Sequence, residues 1–269
     1  MGKQIKKLIA CFDIINGRVT KAKNFFDNID VAPAEELAVK ICEKQIDGLI
    51  FFDVTASNEK RKIDIETLKK VAAKIKNYSV PFIVGGGIKT LDDMREVFEA
   101  GAADKISVDS MAVRNPQIIA DSVKEFGSDR IVLSTQVKFV GVSEKIKSGY
   151  EVAIDGARVF TGIDALEWVK RVEDLGAGEI CVNSIDKDGT CSGFDIDITG
   201  RAAELVSVPV IASGGAGTPE HLLDVFSKTK ADSAIISSML YSPRLERNYE
   251  VSELKKYLEE KGVNIIPMR

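Results

Sequence analysis

Histidine is nearly absent from this chain of 269 residues, which contains a single one, His221. It follows Pro219-Glu220 in the first turn of a predicted helix, where we expect a solvated helix residue. One histidine in this position argues against a Ser-His-Asp triad, a multi-histidine zinc site and a histidine general base. Any acid–base chemistry has to come from carboxylates, lysine, cysteine or tyrosine.

The chain also lacks closely spaced cysteine pairs, a net positive charge and long apolar runs. The four cysteines show no CxxC spacing, and three of them fall in apolar strand or helix patterns, which indicates buried side chains rather than ligands or disulfides. A net charge of −4 gives no basic surface for nucleic acid or membranes. No apolar run approaches the roughly 18 residues that span a bilayer, and no signal peptide is recognisable. We expect a cytoplasmic protein.

Short apolar runs alternate with amphipathic segments of helical length along the whole chain. Helical periodicity is clear in segments such as "TLDDMREVFEAG", "IDALEWVKRVEDLG" and "VSELKKYLEEKG", eight in all. Eight strand–helix units on this length predict one α/β domain over residues 1–269, a (β/α)8 TIM barrel, with an open doubly wound sheet as the alternative. The predicted strands are 8–13, 48–53, 81–85, 103–108, 131–136, 179–183, 208–212 and 232–236.

The sequence repeats itself at half its length. The stretch "VPFIVGGGIKTLDDMREVFEAGAADKISVDS" (80–110) matches "VPVIASGGAGTPEHLLDVFSKTKADSAIISS" (208–238) position by position. The stretch "LIFFDVTAS" likewise echoes "EICVNSIDKDG". We therefore expect the barrel to consist of two duplicated half-barrels.

Each half contains a glycine-rich strand end, followed one unit later by small hydroxyl residues. Glycine allows backbone N–H groups to approach an anion closely, and strand ends of this kind meet at the catalytic mouth of a barrel. The pair predicts two phosphate sites facing each other, although each run alone is typical of a turn. The first cradle comprises Gly86, Gly87 and Ser110, and the second cradle comprises Ser213, Gly214, Gly215, Ser237 and Ser238.

Long motifs resemble one enzyme family over nearly the whole chain. They are "IACFDIINGRVTKAKNF", "LIFFDVTASNEKRK", "FIVGGGI", "ADKIS", "LGAGEICVNSIDKDGTCSGFD" and "VIASGGAG". With them the chain resembles the cyclase subunits of imidazole glycerol phosphate synthase. The related barrel isomerase of histidine biosynthesis shares only some of these motifs.

The resemblance implies a reaction and a partner. The family's enzymes bind a bisphosphorylated ribulosyl aminoimidazole carboxamide ribonucleotide, add ammonia, and release imidazole glycerol phosphate and an aminoimidazole carboxamide ribonucleotide. A glutaminase subunit makes the ammonia and docks on the N-terminal face of the barrel, forming a heterodimer. Two aspartates at the ends of strands 1 and 5 act as acid and base. No metal or organic cofactor is implied.

Several residues match the family's site. Asp13 matches the first catalytic aspartate, with a turn-forming aspartate as the alternative, and Lys21 matches a loop lysine that reaches the substrate, with a solvated surface lysine as the alternative. Asp188 and Gly189 lie in the matching substrate loop after strand 6, where a simple Asp-Gly turn is the alternative.

The second catalytic position departs from the pattern. Gln136 stands where the family has its second aspartate, and glutamine cannot ionise. On the preceding strand, Asp109 stands where the family typically has asparagine. Our hypothesis is that Asp109 supplies the acid that Gln136 cannot. Alternatively, Asp109 repels the nearby phosphate and the substrate has changed, or activity has been lost.

The ammonia entrance departs as well. Lys7, Lys105 and Glu179 match three members of a charged ring at the N-terminal mouth, but Gly48 replaces the fourth, an acid. This imbalance puts tight coupling to a glutaminase in doubt. The polar segment 138–160 is expected to form a hairpin over the opposite mouth.

Three functions are therefore considered. The first is the family's ammonia-dependent cyclisation and cleavage. The second is a related enzyme that uses ammonia on another substrate, such as amidine formation on a nucleotide-linked sugar. The third is a non-catalytic barrel that binds a glutaminase.

Overall fold

The computed structural model describes residues 4–23, 26–56, 59, 61–243 and 245–268. The strands are β1 (Lys7–Ile15), β2 (Arg18–Lys23), β3 (Phe26–Pro33), β4 (Gly48–Asp53), β5 (Phe82–Gly85), β6 (Lys105–Val108), β7 (Ile131–Phe139), β8 (Tyr150–Ile154), β9 (Val159–Asp164), β10 (Glu179–Ser184), β11 (Val210–Ser213) and β12 (Ser233–Ile235). The α-helices are α1 (Ala34–Glu43), α2 (Ile65–Ile75), α3 (Leu91–Glu99), α4 (Ser110–Arg114), α5 (Gln117–Phe126), α6 (Ala165–Asp174), α7 (Ile196–Leu205), α8 (Pro219–Lys228), α9 (Ser237–Tyr241) and α10 (Val251–Glu260).

Eight of these strands close into a parallel barrel in the order β1, β4, β5, β6, β7, β10, β11, β12. The two halves join where β7 pairs with β10, as in Val132 with Glu179, and where β12 pairs with β1, as in Ala234 with Leu8. Each barrel strand is followed by a long helix. The predicted (β/α)8 barrel is therefore confirmed, as are all eight predicted strands and all eight predicted helices.

Side chains alternate between the inside of the barrel and the layer beneath the helices. On β1, Leu8, Ala10 and Phe12 pack outward into the large core shared with the helices. The inward residues form a separate apolar cluster that fills the barrel. Its buried members are Ile9, Cys11, Ile50, Ile83, Val132, Cys181, Ile211 and Ile235. The predicted burial of Cys11, Cys42 and Cys181 is confirmed.

The two half-barrels repeat the same order of elements. In each half the first strand runs beyond the barrel and turns back through two antiparallel strands, β2 and β3 in the first half, β8 and β9 in the second. The expected hairpin in segment 138–160 is thus confirmed, and its outgoing arm is the extension of β7 itself. Each half also contains a short helix after its last barrel strand: α4 follows β6, and α9 follows β12. The periodicity did not predict these two helices.

None of the helices in the described ranges combines the length and apolar character that a membrane span requires.

At the N-terminal face of the barrel, aspartate side chains accept hydrogen bonds from N–H groups at the beginning of three strands. Asp47 Oδ2 accepts a hydrogen bond from the Leu8 N–H at 2.9 Å, and Asp104 and Asp232 accept equivalent bonds from the first residues of β5 and β11. Asp47 also forms an ion pair with Lys255 of α10 at 2.6 Å, with both side chains almost completely buried. This ion pair attaches the last helix to the start of the barrel.

Removal of one charge from the buried ion pair should destabilise the fold. Asp47→Asn keeps an acceptor for the Leu8 N–H but leaves the Lys255 ammonium buried without a counter-ion. We expect the free energy of unfolding in urea to fall by about 3–5 kcal/mol. Lys228→Ala, which removes an exposed ion pair with Asp224, should change it by less than about 1 kcal/mol. Equal effects of the two changes would show that burial of the Lys255 pair is unimportant.

Candidate active site

All the polar strand ends singled out in the sequence meet at one mouth of the barrel, because the eight strands are parallel. Asp13 lies near the end of β1, Asp109 directly follows β6, and Gln136 lies near the end of β7. The glycines of the two cradles follow β5 and β11. Ser110 lies in α4, Ser213 ends β11, and Ser237 and Ser238 lie in α9. The mouth thus contains functional groups from both half-barrels.

Asp13 is paired with a buried lysine. The chain reverses through Asn16 and Gly17, both with positive φ, so that β2 pairs with β1 and places Thr20 opposite Asp13. The next residue, Lys21, points its Nζ to within 3.5 Å of Asp13 Oδ2. Lys21 is only 7% exposed, so the alternative of a solvated surface lysine is wrong.

The charge of Lys21 is preserved by acidic neighbours. Burial lowers its pKa, but Asp13, Tyr241 and Asp188 together raise it above its ordinary value. Asp188 is part of the same group, and burial raises its pKa to about 6, opposed by Lys21 and supported by Asp13. The Asp188 N–H donates to the Ser184 carbonyl at 2.9 Å, which shapes the loop after β10. Asp13, Lys21 and Asp188 form one electrostatic unit.

Asp109 and Gln136 are in direct contact. Gln136 Nε2 donates to Asp109 Oδ2 at 2.8 Å, between neighbouring strands of the barrel. The two remaining oxygens, Asp109 Oδ1 and Gln136 Oε1, are buried and have no hydrogen-bond partner among the residues that the structure describes. Below them, inside the barrel, the hydroxyls of Ser107 and Ser134 lie 2.8 Å apart. A buried acceptor without a partner is costly, so this pair is suited to receiving a proton or a ligand donor.

The surroundings of Asp109 favour its protonated form. Burial and the nearby Asp155 carboxylate raise its pKa, Gln136 and Arg114 lower it, and the net result is a pKa of about 7. A carboxyl group that titrates near neutrality can act as a general acid at physiological pH. The site therefore contains Asp13 beside the Lys21 ammonium, and Asp109, a carboxyl group whose pKa is raised.

The first cradle is a tight turn built against the loop after β4. Gly86 and Gly87 both have positive φ, and a side chain at Gly86 would overlap the carbonyl of Asp53. Asp53 is itself buried and accepts two hydrogen bonds from Arg61, at 2.6 and 2.7 Å, so the loop below the turn is fixed. Ser110 lies at the start of α4, and its Oγ accepts a hydrogen bond from the Asp155 N–H at 2.9 Å.

The second cradle packs against the loop after β10. Gly214 and Gly215 have φ values of 92° and 101°, and a Cβ at Gly215 would overlap the carbonyl of Gly193. The Gly193 N–H donates back to the Gly215 carbonyl at 2.8 Å. Ser213 Oγ donates to Asn183 Oδ1 at 2.7 Å. The loop that contains Asp188 and Gly189 thus lies directly against this cradle.

The two serines of α9 differ in availability. Ser237 Oγ accepts from the Cys11 N–H at 2.7 Å and donates to the Cys11 carbonyl at 2.8 Å, so its hydroxyl is committed to β1. The hydroxyl of Tyr241 donates to the same carbonyl. Ser237 can therefore offer a ligand its backbone N–H rather than its side chain. Ser238 is partly exposed.

The residues of the predicted ammonia entrance meet at the opposite face. Lys105 Nζ and Glu179 Oε2 form an ion pair at 2.8 Å, whereas Lys7 is exposed. At Gly48 a Cβ would only touch Ile9, at 3.4 Å, so there is room for a small side chain. Of the three predicted charged residues, Lys105 and Glu179 therefore form an ion pair with each other.

Three residues near the mouth were not found by sequence reasoning: Arg114, Asp155 and Tyr241. Asp155 lies in the turn between β8 and β9, and no motif marks it. Within the part of the chain that the structure describes, no group of three His, Cys, Asp or Glu side chains is arranged to hold a metal ion.

Comparison with known proteins gives a consistent result. The family model described as "Histidine biosynthesis protein" matches residues 7–246. The chain is 46% identical over 260 residues to the imidazole glycerol phosphate synthase subunit HisF of Desulfatibacillum aliphaticivorans, covering 97% of each chain. The proteins of the same name from Desulfosudis oleivorans and Desulforapulum autotrophicum are 45% and 46% identical, with the same coverage.

A side chain at Gly215 should disrupt the second cradle. Gly215→Ala forces an unfavourable φ and an overlap with Gly193, whereas Gly262→Ala imposes a positive φ with no atom within 4 Å of the new Cβ. Gly262→Ala should lower the free energy of unfolding by about 1–2 kcal/mol. Gly215→Ala should cost about 1–3 kcal/mol more, because of the overlap. Urea unfolding of both variants measures the difference, and equal losses would contradict the tight packing of the cradle.

Proposed function

The chain belongs to the histidine biosynthesis protein family, together with the HisF subunits of imidazole glycerol phosphate synthase, and from this premise we propose how it works as the cyclase. The substrate is a bisphosphorylated ribulosyl aminoimidazole carboxamide ribonucleotide. Ammonia is added, and the products are imidazole glycerol phosphate and an aminoimidazole carboxamide ribonucleotide. The observation that carries the proposal is the placement of one acid–base group and one glycine cradle from each half-barrel at a single mouth.

The two cradles hold the two phosphates of the substrate. The first contributes backbone N–H groups around Gly86 and Gly87 with the hydroxyl of Ser110. The second contributes backbone N–H groups around Gly214 and Gly215. Further contacts to this phosphate come from Ser213, the Ser237 N–H, Ser238 and the adjacent Asp188-Gly189 loop. Glycines with positive φ let the main chain approach an anion without a side chain in between.

Asp13 and Asp109 divide the proton transfers between them. Asp13, beside the Lys21 ammonium, is the base, and Lys21 also contacts the substrate. Asp109 is the acid, and Gln136 orients it through the 2.8 Å hydrogen bond. The burial of Asp109 Oδ1, which accepts no hydrogen bond from the described residues, supports this assignment, because a proton on that oxygen removes the cost of burying an unpaired charged acceptor.

A glutaminase is the expected partner, since the relatives are named as subunits. We propose that it docks on the N-terminal face, where Lys7, Lys105 and Glu179 surround the opening. The ion pair between Lys105 and Glu179 narrows this opening. Because Gly48 supplies no acid, the ring of charges that controls the passage of ammonia is weaker. The four free cysteines fit a reducing cytoplasm.

A second acceptor for ammonia remains a candidate because of the first cradle. Two carboxylates, Asp109 and Asp155, lie beside Ser110, and negative charge there disfavours a phosphate dianion. A substrate with hydroxyl groups at that end, such as a nucleotide-linked sugar, would meet acceptors instead. Turnover of the two substrates distinguishes these functions.

Turnover with ammonium salt is the direct test. The purified chain near pH 7, supplied with the ribulosyl bisphosphate substrate and enough ammonium salt to provide free ammonia, should form imidazole glycerol phosphate at a rate on the order of 1–10³ s⁻¹. This assay needs no glutaminase. Tight binding without turnover would favour a non-catalytic barrel, and absence of binding would favour the other acceptor.

Restoring the family arrangement tests the role of Asp109. Asp109→Asn should reduce kcat about 10²–10⁴-fold, because the acid is lost. The double variant Asp109→Asn/Gln136→Asp, which returns the carboxyl group to β7, should recover most of that loss. Full activity in Asp109→Asn would refute the assignment.

The pH profile provides a second measure in the same variants. The pKa of Asp109 is raised from its ordinary value to about 7, so the acid is protonated below this pH and ionised above it. At a fixed concentration of free ammonia, kcat of the unmodified enzyme should therefore fall as pH rises through about 7. In the double variant the pH at which kcat falls should shift, because the titrating carboxyl group then lies on β7 instead of after β6.

A further inference from the structure

The turn between β8 and β9 is fastened to α4 through one residue. The Asp155 N–H donates to Ser110 Oγ at 2.9 Å, and the Asp155 carboxylate accepts a hydrogen bond from Arg114 in an ion pair. On the other side of the turn, Arg158 Nη1 donates to the Asp155 carbonyl at 3.1 Å. The hairpin therefore reaches the hydroxyl that belongs to the first cradle.

This turn depends on those contacts. Asp155, Gly156 and Ala157 have φ values of 56°, 65° and 64°, so three successive residues adopt the left-handed conformation. Aspartate tolerates it, but for alanine it is unfavourable by about 1–2 kcal/mol. Such a backbone persists where its surroundings compensate, and the bonds to Ser110 and Arg114 supply that compensation. Loss of those bonds should release the turn.

Arg114 is electrostatically coupled to the active site as well as to the hairpin. Its guanidinium lowers the pKa of Asp109, whereas Asp155 raises it, so both charges act on the acid. The pair is partly open to solvent, with 49% of the Arg114 side chain and 25% of the Asp155 side chain exposed. The ion pair is therefore accessible to a ligand from solvent.

The groups around Asp155 suit a phosphate better than a carboxylate. A guanidinium presents a planar set of donors that matches the oxygens of a phosphate. The Ser110 hydroxyl uses a lone pair toward Asp155 and keeps its own hydrogen for donation to a ligand oxygen. A phosphate near Ser110 would carry more negative charge than Asp155 and would compete with it for Arg114.

We propose that Arg114 binds the substrate phosphate at the first cradle and that Asp155 is an internal anion that holds Arg114 until the phosphate displaces it. The exchange breaks the Arg114–Asp155 ion pair, and it thereby loosens the turn that this ion pair helps to hold. No covalent bond changes. The identity of the substrate rests on the proposed function, but the exchange itself requires only a phosphate at this cradle.

Three variants test the exchange by steady-state kinetics at saturating ammonium. Arg114→Gln should raise KM for the bisphosphate substrate by about 10- to 100-fold, with a smaller change in kcat, because a charge-assisted contact is lost. Asp155→Asn keeps the backbone N–H and tolerates the left-handed turn, so KM should fall several-fold. In the Arg114→Gln background, Asp155→Asn should lower KM by less than it does in the unmodified protein, because only the repulsion between Asp155 and the phosphate is then removed. Arg95→Gln, which removes an ion pair with Glu125 between α3 and α5, is the control and should leave KM unchanged.

A merely structural brace gives different results. If Asp155→Asn raises KM as much as Arg114→Gln does, the ion pair only supports the hairpin and the inference is wrong. Hydrogen exchange of residues 155–157 supplies a readout independent of turnover. Inorganic phosphate should accelerate exchange there in the unmodified protein and not in Arg114→Gln, and unchanged exchange in both would overturn the proposal.

Failure of the proposed function is separable from failure of this inference. If the bisphosphate substrate is not turned over, calorimetric titration of inorganic phosphate into the unmodified protein and Arg114→Gln decides the matter alone. Weaker binding in the variant upholds the inference, and equal binding refutes it.

Discussion

Parallel closure of the eight barrel strands is the constraint from which the rest of the structure follows. Because β7 pairs with β10 and β12 with β1, no barrel strand has a free edge, and every strand must alternate its side chains between two apolar environments. The same closure brings all carboxyl ends of the strands to one mouth. Polar residues at strand ends that are far apart in sequence, such as Asp109 and Gln136, are thereby placed in contact.

Duplication gives each half of the barrel the same framework, and the two halves have then been used differently. β1 and β7 both run past the barrel into an antiparallel hairpin, with Asp13 opposite Thr20 and Gln136 opposite Ala153. In the first half the hairpin delivers a buried lysine to the carboxylate. In the second half it delivers Asp155 to α4. Equivalent backbones thus place a cation beside Asp13 in one half and an anion near Asp109 in the other.

The parts that sequence reasoning predicted are those encoded by local pattern. Strand and helix periodicity, the repeated glycine turns and the contact between the exchanged residues Asp109 and Gln136 all follow from spacing on a barrel. The burial of Lys21 and the commitment of the Ser237 hydroxyl to β1 do not, because each depends on packing between distant segments. Asp155 is the clearest example of a residue that the sequence does not reveal, because its contacts depend on the position of the β8–β9 turn relative to α4.

The proposed exchange of carboxamide and carboxylate between β6 and β7 would alter more than the position of a proton. The pair still contains one carboxyl group and one amide, and the amide still donates one hydrogen bond, so net charge and pairing can be conserved. On β6, however, the carboxyl group directly precedes Ser110 and is coupled to Asp155 and Arg114. Proton binding at Asp109 and anion binding beside Ser110 must therefore influence each other, and by thermodynamic linkage the influence is equal in both directions. A resident anion such as Asp155 sets the starting point of that equilibrium by favouring protonation of Asp109 before any substrate is bound.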